Sequence, residues 1–371
     1  MIDLFKVFMS PTANIEVGKV LTSGFIGQGK KVEEFETKLK KIFNNDYLLT
    51  VNSCTSALTL ALHLIKETNS SRNEIIVSPL TCFATIAAII SNGFNICWAD
   101  VNPDTCNIDT LDVERKVNKN TCGIVLVHWG GSPVDINHIN KIKTKYETTY
   151  GQNLPVIEDC AHCWESRYEE ELIGNSRNYC CFSFQAIKFL TMGDGGLLIL
   201  PNAEIYHRAK LLRWFGLDRE SGSSFRCMQN IKESGFKYHC TDIDATIGLE
   251  NLPFVSKNVS VHKSNANFYN ENLKNLKNVN LLKNQVNSES SYWIYTIKVE
   301  DRTNFIKYLK NKGIEAGQIH NRCDKHSAVE QFKSLLPGMD ELESQYVAIP
   351  CGWWVTEEQR SYIVDCIKEG W

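Results

Sequence analysis

The stretch "FSFQAIKFLTMGDGG", residues 182–196, joins two β-rich runs, "YCCFSF" at 179–184 and "GGLLIL" at 195–200. It carries one lysine, Lys188, among apolar and small residues, and it ends in a glycine-rich turn. Lys188 is either an exposed side chain on a connecting loop or a buried amine. Removing water from around a lysine favours its neutral form, and a neutral amine can form a Schiff base with an aldehyde. Segments elsewhere in the chain bear on this choice.

Short apolar runs alternate with helical patterns through the first part of the chain. Further strands are predicted at 74–78, 123–129 and 154–159, and helices at 30–43, 55–66, 83–92 and 136–146. This alternation indicates an α/β fold with a mostly parallel sheet covered on both faces. After residue 255 a polar helix leads to an alternating strand at 291–299. We therefore predict a large domain over 1–255 and a small α+β domain over 256–371.

The composition is that of a globular protein, with 43% hydrophobic and 22% charged residues among 371. The formal charge of −3 comes from interspersed acids and bases, which argues against nucleic-acid and membrane partners. No apolar run approaches the ~18 residues that a membrane span requires. The N-terminal segment has no signal-peptide pattern, and the 14 scattered cysteines fit buried free thiols. We expect a soluble, cytoplasmic protein.

The segment "NSCTSALTLAL", residues 52–62, places Ser53, Thr55 and Ser56 where a helix begins. Amides and hydroxyls at a helix N-terminus, together with the helix dipole, suit a phosphate group. The alternative is an ordinary Ser/Thr cap of the helix, which needs no ligand. The segment on its own leaves both interpretations open.

The segment "VIEDCAHCWES", residues 156–166, ends an apolar strand with Glu158 and Asp159. Ligands of α/β sheets bind at this carboxyl edge, where an acid could hold a heterocyclic nitrogen protonated. The acid could equally cap the following helix. Cys160 and Cys163 also allow a zinc or thioredoxin-type site, but no second pair at ligand spacing follows.

Taken together and in order, these segments resemble the DegT/DnrJ/EryC1/StrS family of pyridoxal-phosphate-dependent nucleotide-sugar aminotransferases, which have fold type I. The similarity runs nearly end to end and includes "SGFIGQGKKVEEFE", "ADVNPDTCNID", "HWGGSPVD", "IEDCAH" and the opening stretch. The resemblance implies a large domain built on a mostly parallel seven-stranded sheet flanked by helices, followed by a smaller C-terminal α+β domain.

The resemblance also implies roles for individual residues. Lys188 would form the Schiff base with pyridoxal 5′-phosphate and shuttle the proton, and Asp159 would pair with the pyridine nitrogen. Further cofactor contacts would be Thr55, Ser56, His162, Ser183 and Gln185, with Lys237 supplied by the partner subunit of a homodimer that shares its active sites. Taken in isolation, Lys237 and His239 could be ordinary surface charges.

The implied reaction takes an amino group from L-glutamate, releases 2-oxoglutarate and aminates a nucleotide-linked keto-6-deoxy sugar. Amination at C-4 is expected, which would convert a dTDP- or UDP-linked 4-keto-6-deoxyglucose to a 4-amino-4,6-dideoxy sugar of the viosamine type. Amination at C-3 of a 3-keto-6-deoxy nucleotide sugar is the alternative. Substrate contacts are expected from Phe25, Arg213, Trp214, Arg219, His239, His320, Arg322, Lys325 and His326. A metal site formed by His320, Cys323 and His326 is the less favoured interpretation, so we expect no metal.

The chain departs from the family pattern at Lys237, where many members have Asn, and at His239, where Arg is common. It also has Cys82 where an aromatic ring often stacks on the cofactor, so another group would have to cover that face. Two other functions compete with transamination. Related dehydratases replace the lysine with histidine, so Lys188 argues against that chemistry. A cofactor-binding protein without turnover is disfavoured because Asp159 and Ser183 are retained beside Lys188.

Overall fold

The computed structural model describes residues 1–66, 72–220 and 228–371. The helices of these ranges are α1 Ala13–Ser23, α2 Lys30–Phe43, α3 Cys54–Ile65, α4 Phe83–Ser91, α5 Thr110–Lys116, α6 Ile136–Tyr150, α7 Ala203–Leu212, α8 Asp242–Asn251, α9 Val255–Leu273, α10 Arg302–Asn311, α11 Pro337–Glu343 and α12 Glu357–Glu369. The strands are β1 Leu48–Val51, β2 Glu74–Val77, β3 Asn95–Trp98, β4 Thr121–Val127, β5 Val156–Asp159, β6 Arg167–Tyr168, β7 Glu171–Leu172, β8 Tyr179–Ser183, β9 Gly196–Ile199, β10 Val279–Leu281, β11 Ser288–Glu289, β12 Tyr295–Val299 and β13 Tyr346–Ile349.

Seven strands form the main sheet in the order β1-β9-β8-β5-β4-β2-β3. Only β9 runs antiparallel to its neighbours β1 and β8, while the other pairs are parallel. Strands β4 and β5 are buried along their whole length, as expected for a sheet covered on both faces. The predicted α/β fold with a mostly parallel seven-stranded sheet is confirmed.

The helices that cover the sheet follow from their sequence patterns. Helix α2 buries Val32, Phe35 and Leu39 on one side and exposes its charges on the other, as its helical spacing predicts. Helix α3 is buried around most of its surface and lies against β8 and β9. This contact brings the start of α3 close to the carboxyl end of β8.

A second hydrophobic cluster lies in the C-terminal part of the chain. The antiparallel sheet β10-β12-β13 packs there with α9, α10 and α12, burying Tyr269, Ile297 and Phe305 completely. The first residues of the chain join this cluster, since Ile2 pairs with Ile314. The division into domains 1–255 and 256–371 stays a prediction.

The described cysteines are free thiols, and most are buried. Within the described ranges, no helix combines the length and the apolar character needed to cross a lipid bilayer.

Candidate active site

A cavity of about 380 Å³ opens at the carboxyl ends of β5 and β8. Of the predicted site residues, it gathers Thr55, Asp159, His162, Ser183, Gln185, Lys188 and His320. Ligand sites of open α/β sheets lie at this edge, because loops leaving neighbouring parallel strands meet there. The structure therefore brings together, in one place, residues that are separated along the chain.

Lys188 lies in the turn after β8, where its backbone N–H donates to the Gln185 carbonyl at 2.9 Å. Its Nζ stands 3.4 Å from the centroid of the Trp293 ring. Burial lowers the pKa of Lys188 from 10.5 to about 8, and the negative charge of Asp159 opposes this shift. The amine is therefore largely neutral just above pH 8, which is the form that attacks a carbonyl.

Asp159 ends β5 and is 6% exposed. Its Oδ2 accepts a hydrogen bond from Thr85 Oγ1 at 2.7 Å, and its Oδ1 accepts one from the Ala161 N–H at 3.1 Å. Burial raises the pKa of this carboxyl above its usual range, and the two hydrogen bonds and Lys188 partly offset the rise. A protonated ring nitrogen beside Asp159 would favour the charged carboxylate further.

Glu158, which is fully buried, belongs to a separate hydrogen-bond network. The Val134 N–H donates to His128 Nδ1 at 3.0 Å, so His128 Nε2 carries the proton that it donates to Glu158 at 3.0 Å. Ser176 and Asn178 also donate to this carboxylate, at 2.5 and 2.7 Å. Burial would raise the pKa of Glu158, but these hydrogen bonds outweigh it and lower the pKa. Glu158 is thus a charged support inside the sheet, and it does not line the cavity.

The start of α3 forms one end of the cavity through Ser53, Cys54 and Thr55. Ser53 caps the helix, since its Oγ accepts from the Ser56 N–H at 3.0 Å. The Ser56 hydroxyl donates to Asn52 Oδ1 at 2.6 Å and does not line the cavity. Ser53 is therefore a helix cap, while Thr55 lines the cavity at the helix N-terminus, and phosphate binding there stays a prediction.

The glycine turn after Lys188 brings β9 against the start of α3. A Cβ placed on Gly196 would lie 2.6 Å from the Ser53 carbonyl carbon and 2.7 Å from the Cys54 nitrogen. Real Cβ atoms do not approach other atoms so closely, so only glycine fits there. Asp194, in the same turn, accepts from the Gly195 N–H at 2.9 Å and lines the cavity.

These groups suit pyridoxal phosphate. A desolvated lysine, a buried acid and a helix N-terminus share one cavity, and together they match the aldehyde, ring nitrogen and phosphate of the cofactor. The cavity of about 380 Å³ lies within the usual range for small-molecule sites. Cys82 also lines it, at the position where family members often have an aromatic ring.

A second group of predicted residues lies outside this cavity. Trp214 packs on His239 with ring centroids 3.6 Å apart, and the Arg219 guanidinium lies over Trp214 at 4.4 Å. Backbone pairing joins Trp214 to Lys237, whose side chain is exposed. Phe25 is 83% exposed and borders a surface groove next to α1.

Three predicted substrate ligands form ion pairs within the chain. Buried Arg213 pairs with Glu36 at 2.6 Å and donates to the Thr50 carbonyl at 2.8 Å. Arg322 donates twice to Asp324, both times at 2.8 Å, and also pairs with acids of α11. Lys325 pairs with Glu343 of the same helix at 2.7 Å. Arg213 and Arg322 thus hold the fold together, and substrate contacts from the three residues stay predictions.

His326 also lies outside the cavity, edge-on to Phe83 with ring centroids 5.0 Å apart. Cys323 is buried, with its thiol donating to the Thr81 carbonyl at 3.1 Å. His320, Cys323 and His326 do not form a metal-binding group, since in the described ranges only His128, Glu158 and Cys160 bring three such donor atoms within 4.8 Å.

Trp293 and Thr85 are not among the site residues predicted from the sequence. Trp293 lies in the segment predicted as an alternating strand, and nothing local to it indicates a contact with Lys188. Thr85 does fall in the stretch "TCFATI", residues 81–86, which resembles a family segment. Thr81 lines the cavity, whereas Thr85 acts through its hydrogen bond to Asp159, a partner that the local sequence does not indicate.

The comparisons with known proteins agree with this geometry. The chain is 42% identical to AtS13 from Actinomadura melliaura, with a TM-score of 0.97 over 100% of this chain and 99% of the other. It is 37% identical to the sugar aminotransferase CalS13 from Micromonospora echinospora, with a TM-score of 0.96 over the full length of both. It is 28% identical over 357 residues to GDP-perosamine synthase of Escherichia coli O157:H7, covering 95% of this chain and 94% of the other.

The model of the DegT/DnrJ/EryC1/StrS aminotransferase family matches residues 9–368. That match spans the sheet, the cavity and the C-terminal cluster described above. The chain therefore belongs to this family, and it is a pyridoxal-phosphate-dependent sugar aminotransferase that acts on nucleotide sugars.

Proposed function

We propose that this aminotransferase transfers the amino group of L-glutamate to C-4 of a nucleotide-linked 4-keto-6-deoxy sugar. The observation that carries the proposal is the shared cavity of Lys188, Asp159 and the α3 N-terminus. Similarity to a protein named GDP-perosamine synthase supports a nucleotide-linked amino sugar as the product. The choice of C-4 rests on the likeness of the segments at 213–219 and 318–326 to family members that act on 4-keto sugars.

Lys188 carries out the proton transfers. When bound, pyridoxal phosphate supplies an electron sink for the negative charge that remains on carbon after a proton is removed. Lys188 first holds the cofactor and is then free as an amine. With a pKa of about 8, its Nζ can accept a proton from one carbon and return it to another near neutral pH.

Other residues bind and orient the cofactor. Asp159, kept charged with help from the Thr85 hydroxyl, would hold the ring nitrogen protonated. Thr55 and Ser183, next to the α3 N-terminus, would bind the phosphate, and Gln185 would lie near the phosphate or the phenolic oxygen. His162, stacked on Trp293 at 3.9 Å, closes another side of the cavity and excludes water.

A homodimer would complete the site. Trp214, Arg219, Lys237 and His239 lie outside the chain's own cavity, so they would serve the cavity of the partner subunit. Four apolar side chains are exposed on α1 and in the segment after it, and they offer a surface for that partner: Ile15, Leu21, Phe25 and Ile26. We place the reaction in the cytoplasm, where buried free thiols stay reduced.

The chemistry is tested by absorbance. The purified enzyme should be yellow, Lys188→Ala should lose the band of the lysine-bound cofactor, and glutamate should convert it to the pyridoxamine form. Incubation with glutamate and a panel of 3- and 4-keto nucleotide sugars, followed by NMR of the products, then locates the new amine. An amine at C-3 would contradict the proposed amination at C-4. Absence of any conversion by glutamate would favour a binding protein without turnover.

Shared active sites are tested by mixing variants. Lys188→Ala and Lys237→Ala should each be strongly impaired alone. In a mixed dimer, one of the two sites receives intact residues from both subunits, so activity should return to at most half of wild type. Mixtures that never exceed the separate activities would argue against sharing.

A further inference from the structure

The face of the Trp293 ring lies directly beside the Lys188 amine. Nζ lies 3.4 Å from the ring centroid, well inside the distance of about 6 Å at which a cation is attracted to an aromatic face. Trp293 is 4% exposed, so little water screens this contact. Attraction between an ammonium group and an indole is strongest in such a desolvated setting.

The ring is fixed from several directions. Its Nε1–H donates to the carbonyl of Ile187, the residue directly before Lys188, at 3.1 Å. His162 stacks on it at 3.9 Å with an angle of 15°, and Phe5 stacks at 5.2 Å with an angle of 29°. The same indole therefore hydrogen-bonds to the backbone of the lysine turn and contacts the lysine side chain. These two contacts hold the ring and the amine in a fixed relative position.

We propose that Trp293 is a positioning residue for Lys188, and that its indole face holds the amine whenever Nζ is not bonded to the cofactor. The proposal rests on the proposed function, in which Lys188 is repeatedly released and must stay within reach of the reacting carbon. A free lysine side chain has many rotamers, and confining it shortens the path of each proton transfer.

Several groups act on the charge of this amine. Burial favours the neutral form, while the indole face and the carboxylate of Asp159 favour the ammonium form. Other titratable groups line the cavity or lie close to the amine: Cys54 at the start of α3, Cys82 before α4, His162 and Cys163 after β5, Asp194 in the glycine turn, and His320. Both histidines have a lowered pKa because they are buried, so they add no positive charge near neutral pH.

The test weakens the ring's attraction without changing its shape. Trp293 alone is replaced by mono-, di-, tri- and tetrafluorotryptophan, which progressively withdraw electron density from the face and keep the N–H. The pKa of Lys188 is read from the pH dependence of its acetylation, measured by mass spectrometry. The full chain is used free of cofactor and again with pyridoxamine 5′-phosphate bound. The same substitutions at buried Trp164, which packs on Phe43 and Phe182, serve as the matched control.

We expect the pKa of Lys188 to fall stepwise across the Trp293 series, by about 0.4–1.5 units at tetrafluorotryptophan, which is the usual strength of the interaction converted to pKa. The pKa of Lys188 should not change across the Trp164 series. A Lys188 pKa that stays constant or rises across the Trp293 series would overturn the proposal. This outcome is distinguishable from failure of the proposed function, because acetylation in the cofactor-free chain reports on Lys188 whether or not glutamate is converted.

Discussion

Replacing Thr85 by valine should weaken cofactor binding through Asp159. Valine has nearly the same shape, so the change removes the hydroxyl that donates to Asp159 Oδ2 at 2.7 Å and leaves the packing in place. A hydrogen bond to a charged group contributes about 1.5–3 kcal/mol. The pKa of Asp159, already raised by burial, should therefore rise further.

The same free energy sets the expected loss of affinity. If the carboxylate must be charged to pair with the ring nitrogen, the dissociation constant for pyridoxal phosphate should increase by roughly 10- to 150-fold, since 1.4 kcal/mol is a factor of ten. Thr81→Val should have a smaller effect. The Thr85 proton goes to Asp159, so Thr81 must donate to Thr85 Oγ1 at 2.9 Å, a neutral hydrogen bond that contributes about 0.5–1.5 kcal/mol.

Absorbance titration of the cofactor-free enzyme with pyridoxal phosphate measures both constants. Thr246→Val is the matched control, because this buried threonine donates to the Asp242 carbonyl within α8 and does not line the cavity. Unchanged affinity in Thr85→Val, or a larger loss in Thr81→Val than in Thr85→Val, would refute the reasoning about this chain of hydroxyls.

Three further predictions concern other parts of the site. The unfolding free energy of the cofactor-free chain should rise by on the order of 3 kcal/mol between pH 8 and 10.5, because in this pH range the unfolded chain still binds the Lys188 proton that the folded chain has lost. Urea unfolding of Lys188→Met should lack this rise. Equal pH profiles for Lys188→Met and the wild type would contradict the prediction. Arg213→Met should lower the unfolding free energy by about 1.5–3 kcal/mol, because half-buried Glu36 loses its charged partner and keeps only its hydrogen bonds from the Thr50 N–H and hydroxyl, and adding Glu36→Gln should recover part of the loss. A normal unfolding curve with weaker sugar binding would instead support the predicted substrate contact. Cys82→Phe should tighten pyridoxal phosphate binding by about 2- to 12-fold, because the phenyl ring would add one aromatic contact with the cofactor. Unchanged affinity would show that another group already covers that face of the cofactor.

Strong local patterns made much of the fold predictable. Helix α2 has the bounds predicted from its spacing, and α3, α4 and β4 lie within two residues of the predicted segments. Strands β1 and β3 were missed, although β2, β5 and β9 are equally short and were predicted; β3 begins with a polar residue, which weakens its apolar pattern. Such short runs gain their strand conformation from pairing with neighbours, which the local sequence does not encode.

The site was predictable where its chemistry is concentrated in short segments. Lys188 and Asp159 line one cavity because Asp159 ends β5 and Lys188 follows β8, the parallel neighbour of β5. Trp293 was missed because it reaches the cavity from the C-terminal part of the chain. Arg213 and Arg322 were expected near the substrate because arginine suits phosphate, but their acidic partners come from other elements and appear only after folding.

The close contact between Gly196 and the first residues of α3 limits how this site could be transplanted. A designer who copied only the lysine turn, the acid and the capped helix onto another sheet would place a side chain of the adjacent strand where the helix must begin. The helix would shift, and its phosphate-facing amides would shift with it. The set of residues that must be transferred together is therefore larger than the reactive groups. It includes the glycine at the start of the antiparallel strand β9.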